Sequence, residues 1–217
     1  MIVIGCLSQK GGVGKSTLSR DIARQFALAG YTVKIADLDT SQQTSTTWAA
    51  LRMENLIEPA VQCEPTSDIR KMVIQSRAAG IDVLVIDGKP HSDRDTRIAA
   101  EQSDLVIIPT GPTLDDLQPQ VRLGHEFVKQ SVERAKIIYV INNVATTPDG
   151  LEVSDARVFI GQAGFQVADQ AIPKRASYQN AQNAGRSLSE CPHPSLKRIA
   201  ETVVEEIYKI AEKQNGH

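Results

Sequence analysis

Little of this sequence is aromatic, and none of it forms a long apolar run. Phe, Trp and Tyr make up 4% of the 217 residues, so any core must be built from aliphatic side chains. No stretch approaches the ~18 consecutive apolar residues of a membrane-spanning helix, and no such helix is expected. Cysteine is scarce as well. Cys6, Cys63 and Cys191 are odd in number, widely spaced and form no C-x-x-C. That pattern argues against a disulfide framework and against a zinc or iron–sulfur site, and leaves free thiols in a reducing cytosol. Excess charge of either sign is missing too, with 24 Lys plus Arg against 26 Asp plus Glu. A uniformly basic nucleic-acid coat is excluded, so binding of that kind would need a local patch or two copies of the chain. The start of the chain has no basic n-region and no cleavage site, so no secretory leader is expected. Internal repeats and low-complexity linkers are also missing.

What is present is an alternation of two patterns. Short β-branched runs at residues 2–4, 33–36, 83–86, 105–108 and 137–141 are apolar throughout. Strands covered on both faces read that way. A weaker run lies at 165–168. Between them fall helical segments. Residues 16–29 carry Leu18, Ile22, Phe26 and Ala29 on one face, with Gly30 placed to stop them. Residues 67–79 open on Ser67 as N-cap and end before Gly80. Residues 113–134 include Pro119, which predicts a late start or a kink. Residues 195–213 carry a stripe of Leu196, Ile199, Val203, Ile207 and Ile210. The alternation predicts an α/β fold, a doubly wound, mostly parallel sheet flanked by helices. One domain is expected over residues 1–213, followed by a short polar tail at 214–217. Ligands of such sheets bind at the carboxyl ends of the strands.

The first strand runs directly into Lys10-Gly11-Gly12-Val13-Gly14-Lys15-Ser16-Thr17. The segment fits G-x-x-x-x-G-K-[ST], with Ser8-Gln9 standing where the first glycine would be. Gly11, Gly12 and Gly14 let backbone N–H groups converge on an anion. The helix that starts near Lys15 aims its positive end at the same point. Lys15 can reach the β- and γ-phosphates, and the Ser16 hydroxyl suits Mg2+. A plain glycine-rich turn is the competing reading, but the strand before and the helix after are what a phosphate loop requires. The expectation is therefore a P-loop NTPase fold binding ATP and Mg2+.

Carboxylates end the next strands. Asp37-Leu38-Asp39 closes one run, and the strand period points both side chains to one side. A helix N-cap is the structural alternative for Asp39. Asp87 ends the run that starts at Val83, and in a Walker B role it would hold Mg2+ through a water. Gly88 after it suits close backbone approach to a γ-phosphate. Lys89 has no assignment, and His91 reads as a solvated loop histidine rather than a base.

Lys-Gly-Gly-Val-Gly-Lys-Ser-Thr, the D-x-D box and the lone Asp87 together resemble the deviant Walker A ATPases of the ParA/MinD superfamily. The resemblance covers most of the chain and is most specific in its N-terminal third. It implies an ATP-sandwich homodimer in which Lys10 reaches the partner's nucleotide, with Lys10, Lys15 and Asp39 catalytic. Asp39 would orient the attacking water, with Asp37 in support, and Ser16, Asp39 and Asp87 would serve the metal. The usual Asp-Pro-Gln of the family reads Asp39-Thr40-Ser41-Gln42 here, without the proline and one residue longer. Asn142 matches an asparagine that bonds adenine, although Asn143 replaces the arginine that follows it. Pro173, in Ala171-Ile172-Pro173-Lys174-Arg175, matches a stretch that walls the base. The segment from Leu105 to Asp116 would contribute to the dimer face and a cargo-side helix.

Lys174, Arg175, Arg186, Lys197 and Arg198 are candidates for the sequence-independent DNA-binding edge of ParA-type members, where phosphate contacts need no base readout. Glu201, Glu205, Glu206 and Glu212 dilute that charge. The C-terminus lacks the apolar–basic stripe of membrane-docking members, and no helix-turn-helix precedes the loop. The resemblance is thus to a short, single-domain ParA-type ATPase, cytoplasmic and nucleoid-associated. It would position a cargo or partition DNA with a ParB-like or other adaptor and make no membrane contact. The alternative is an ATP-dependent metabolic ligase or small-molecule kinase of the dethiobiotin-synthetase type.

Overall fold

The computed structural model describes residues 1–90, 93–145 and 151–214. His91 and the last three residues of the expected tail lie outside them. Seven strands form one parallel sheet in the order β3-β2-β4-β1-β5-β6-β7. They are β1 Ile2–Cys6, β2 Val33–Asp37, β3 Gln62–Pro65, β4 Val83–Asp87, β5 Leu105–Thr110, β6 Ile137–Ile141 and β7 Gln166–Val167. The helices are α1 Lys15–Leu28, α2 Thr44–Glu54, α3 Ile69–Ala78, α4 Asp93–Gln102, α5 Leu114–Lys129, α6 Leu151–Gln162, α7 Ala176–Asn183 and α8 Pro194–Gln214.

The uniformly apolar runs become strands because each must satisfy two cores. Side chains alternate across a strand. Ile2, Ile4, Val83, Val85, Leu105 and Ile107 pack on the face covered by α1, α7 and α8. Val3, Leu84, Ile86, Val106 and Ile108 pack on the face covered by α3 to α6. Each buried aliphatic side chain contributes about 1.5–3 kcal/mol on transfer from water.

The central position of β1 matters for function. The chain winds from β1 outward to β2 and β3, returns to β4, then proceeds through β5 to β7. The reversal lies beside β1, so the loop after β1 opens into the crevice where such sheets bind ligands.

Two elements with no strong apolar period complete the sheet's left half. β3 reads Gln62-Cys63-Glu64-Pro65 and pairs with β2 at the sheet edge, where a proline is tolerated. α2 buries Ser45, Trp48 and Arg52, a helical stripe that is mostly polar. Three expected boundaries shift. Helix α3 is capped by Asp68, which accepts from the Lys71 N–H at 3.1 Å, rather than by Ser67. α5 starts at Leu114 and carries Pro119 inside it, ending at Lys129 rather than 134. α8 runs on to Gln214.

Arg52 holds α2 in place. Its side chain is 1% exposed and forks onto Glu190, with Nη1 to Oε2 at 2.7 Å and Nη2 to Oε1 at 3.0 Å. Nη1 also reaches the Gly185 carbonyl at 3.1 Å, and Nε the Pro59 carbonyl at 2.8 Å. The guanidinium carbon lies 5.5 Å from the centre of the Trp48 ring, whose Nε1 donates to the Arg186 carbonyl at 3.0 Å. Burial pushes the Glu190 carboxyl up, but the Arg52 hydrogen bonds, the Ser187 N–H and the Arg52 and Arg24 charges together outweigh it and hold the group below its usual 4.5. Such a pair fixes geometry, and losing one partner strands a buried charge.

Replacing Glu190 by Gln should therefore cost about 3 kcal/mol of stability at neutral pH. The ion pair contributes fully above pH 4.5 and is lost as pH falls through the lower folded pKa. Urea unfolding at pH 7 and in acid should show a large gap between native and Glu190→Gln protein that closes in acid. A gap independent of pH would remove the charge from the explanation.

Candidate nucleotide-binding site

Gly14 makes the phosphate loop possible. It is the N-cap of α1, with φ of 101° in the left-handed region that favours glycine. A methyl group added there would come within 1.8 Å of Asn142 Nδ2. Lys15 starts the helix, so the unpaired N–H groups of its first turn face the loop. Ser8, next to the Gln9 that stands where the first glycine of the usual pattern would be, braces the loop. It is fully buried, and its Oγ accepts from the Lys10 N–H at 3.0 Å and from Gln120 Nε2 at 2.8 Å.

Strand register brings the carboxylates together. Asp37 and Asp87 are paired end residues of β2 and β4, and Asp87 is also level with Cys6 at the end of β1. By parity both aspartates share the α1 face with Val33, Ile35, Val83 and Val85. They have different partners. Asp37 Oδ2 accepts the Ser45 and Thr46 N–H groups, each at 3.1 Å. It caps α2 from the neighbouring strand, because the local cap Gln43 is left-handed and offers no side-chain bond. Asp87 Oδ2 accepts the Ser45 hydroxyl at 2.6 Å. Its other oxygen, Oδ1, is buried without a hydrogen-bond partner. Burial pushes the Asp87 carboxyl up, and the Ser45 and Ser16 hydroxyls oppose the shift. A buried, unpaired carboxylate oxygen beside the P-loop serine is a donor set that fits Mg2+.

Asp39 faces the cleft from the loop after β2. Its Oδ1 accepts from Ser41 Oγ at 2.6 Å and from the Gln42 N–H at 3.1 Å. The Ser41 bond, with a smaller contribution from the Lys89 charge, holds this carboxyl below its usual range. Thr40-Ser41-Gln42 therefore folds as a turn around Asp39, whose side chain is half-buried. Lys15 is buried, which pulls its ammonium below the usual range, while Asp87 and Asp39 oppose that. Its Nζ donates to the Lys10 carbonyl at 2.9 Å.

These residues line a cleft of about 770 Å³ that includes Gly11, Gly12, Gly14, Lys15, Ser16, Thr17, Asp39, Asp87 and Gly88. Val13 lies beneath it, its carbonyl held by Asn142 Nδ2 at 2.9 Å. A smaller pocket of about 200 Å³ adjoins at Thr17 and contains Asn142, Asn143, Pro173, Lys174, Arg175 and Tyr178. Asn142 and Pro173 thus line one pocket. Asn142 also braces the loop, since its Oδ1 accepts the Asn143 N–H at 2.8 Å.

Lys10 turns the other way. Its ammonium bonds the Asp116 carboxylate on α5 and lies 3.5 Å from the Asp115 carbonyl. Pro119, having no N–H, leaves that carbonyl without its helical partner. Of the basic candidates, Lys174, Arg186, Lys197 and Arg198 are exposed and Arg175 half-buried. Arg186, Lys197 and Arg198 line neither pocket, and Lys197 pairs with Glu201 at 3.6 Å.

Sequence reasoning missed Arg20, Ser45, Trp48 and Gln182, which line or support the cleft. Arg20 carried the one available signal, an arginine on α1 only two residues from Leu18 and Ile22 of its apolar stripe.

Loop, metal donors and sheet define a P-loop nucleotide-binding protein. The chain belongs to the CobQ/CobB/MinD/ParA nucleotide-binding domain family, whose model matches residues 4–188. Solved structures share its fold over nearly their full length. The MinD cell division protein of Aquifex aeolicus is 17% identical, with 96% of this chain and 98% of that one covered and a TM-score of 0.74. The septum site-determining protein MinD of Pyrococcus horikoshii, complexed with Mg-ADP, is 16% identical, with 98% of each chain covered and a TM-score of 0.76. A putative plasmid partition protein of Borrelia burgdorferi, bound to AMPPNP, is 18% identical, with 96% and 98% covered and a TM-score of 0.71. No curated protein matches the chain in sequence. The family is one of nucleotide-binding domains, and two of these neighbours carry Mg-ADP and AMPPNP, in line with the expected ATP and Mg2+.

Gly14→Ala should abolish binding of a ribose-labelled fluorescent ATP and cost about 1–3 kcal/mol of stability, because backbone and Asn142 must both move. Fluorescence titration and a urea midpoint check this. An unchanged affinity would show that the loop tolerates the methyl group and that the close packing on Asn142 is incidental.

Proposed function

We propose that the chain is an Mg-ATP-dependent partition or cargo-positioning ATPase, acting as one domain over residues 1–213. ATP closes a homodimer that binds DNA without sequence preference. An adaptor, ParB-like or unrelated, stimulates hydrolysis and returns the protein to the free state. The cycle is a nucleotide-driven shift between bound and free populations.

The observation that carries this reading is Lys10. A second lysine in the loop would ordinarily add charge to its own phosphates. Here its ammonium is engaged with α5, outside its own cleft, which suits a group used across a subunit boundary. The named neighbours add support, since a plasmid partition protein and the MinD proteins share the fold. They do not favour the metabolic ligase.

Within the site, Lys15 would pair with the β- and γ-phosphates. Ser16 and Asp87 would hold Mg2+, which when bound supplies positive charge to the phosphate oxygens. Asp39, ionised and facing the cleft, would orient the attacking water, and Lys10 from the partner would stabilise the developing charge. Lys174, Arg175, Arg186, Lys197 and Arg198 are the proposed phosphate contacts for DNA.

Binding to random-sequence duplex should appear with Mg-ATP and be weak with ADP or no nucleotide. It should fall steeply as salt rises. Binding in no nucleotide state would sink the DNA part of the reading. Reversing Lys197 and Arg198 to Glu should weaken DNA binding by about tenfold or more at low salt, with ATP affinity unchanged. An intact affinity in that double variant would move the interface elsewhere. Asp39→Ala should retain ATP-dependent dimers while turnover falls by about a hundredfold or more. Retained turnover would reassign the water-orienting role.

A further inference from the structure

Arg20 is a buried cation that no phosphate or base contact explains. It lies one turn along α1 from Ser16 and is 8% exposed. A charge held so far from water persists only with partners arranged around it. Nε donates to Ser45 Oγ at 3.0 Å, Nη1 donates to Gln182 Oε1 at 2.7 Å, and the guanidinium carbon lies 5.7 Å from the centre of the Trp48 ring. Gln182 stands on α7, in the wall shared by both pockets.

The direction of the chain of bonds is forced. A guanidinium can only donate, and a serine hydroxyl has one proton to give. Ser45, fully buried and receiving from Arg20, must therefore donate to Asp87 Oδ2, which it meets at 2.6 Å. Asp87 thereby accepts at Oδ2, and its rotamer is set by a side chain fixed on another helix. The oxygen left over is Oδ1, buried and without a partner. Ser45 is held from behind as well, since its own N–H is bonded by Asp37.

We infer that Arg20 is a positioning residue for metal-bound nucleotide: anchored by Gln182, it acts through Ser45 to lock Asp87 with Oδ1 presented to Mg2+ beside Ser16. This rests on reading the cleft as an Mg-nucleotide site and is independent of DNA binding. Residues one step behind a metal ligand orient it, and their loss typically weakens metal affinity by about 10–100-fold.

The test separates metal from nucleotide. Dissociation constants for ribose-labelled fluorescent ADP are measured in EDTA and in saturating Mg2+, and their ratio is the gain due to the metal. Arg20→Met should shrink that gain by about tenfold while leaving the EDTA value within about twofold, and Arg20→Lys should restore part of it. Ser45→Ala, which removes one oxygen and keeps Arg20, should reproduce the loss. It decides the matter if Arg20→Met does not fold. A gain that survives in Ser45→Ala overturns the inference. So does an equal weakening in EDTA and Mg2+, which is the mark of a packing role. If the native protein itself shows no gain from Mg2+, the reading of the cleft fails first and takes the inference with it.

Discussion

Two carboxylates stand side by side and out of water where β2 and β4 end, and much of the surrounding structure exists to keep them there. Asp37 and Asp87 are level in the sheet and on the same face, so the Asp37 charge adds to the cost of ionising buried Asp87. The fold answers with donors drawn from separate parts of the chain. The first turn of α2 bonds Asp37, Ser45 bonds Asp87, and Arg20 and Lys15 place positive charge nearby. One acceptor, Asp87 Oδ1, is left over. The arrangement leaves that oxygen unsatisfied, and it is the group proposed above to meet Mg2+.

That constraint also explains α2. Its Ser- and Thr-rich start is a poor helix former by propensity, and its local cap contributes no side-chain bond. The helix forms because Asp37 receives its first N–H groups and because Arg52 and Trp48 fasten its far end to Glu190 and Arg186. It lies directly after Asp39. The segment that carries Asp39 is thus bounded by two buried charge networks.

Lys10 and Lys15 show how one loop can aim two cations in opposite directions. Lys15 is drawn inward by Asp87 and Asp39 at the cost of desolvation. Lys10 lies over α5, where Asp116 and the carbonyl released by Pro119 receive it. Pro119, which in the sequence predicts a late start or a kink, has its structural meaning there.

The sequence by itself determined the sheet and the loop. Apolar runs such as those around Val83 and Ile137 read as strands buried on both faces, and a glycine-rich segment between strand and helix reads as an anion cradle. Asp87 was legible as a carboxylate at a strand end, and Asp39 as a second carboxylate two residues beyond one. Tertiary structure alone decided β3, α2, the cap on α3 and the partners of Arg20 and Arg52. Their signals are polar, and a polar residue's role depends on partners far along the chain: Arg52 on Glu190, Arg20 on Ser45 and Gln182, Asp37 on an N-terminus eight residues away. Hydrophobic periodicity records which side of an element faces away from water, and it carries no record of which donor will meet which acceptor once that side is buried.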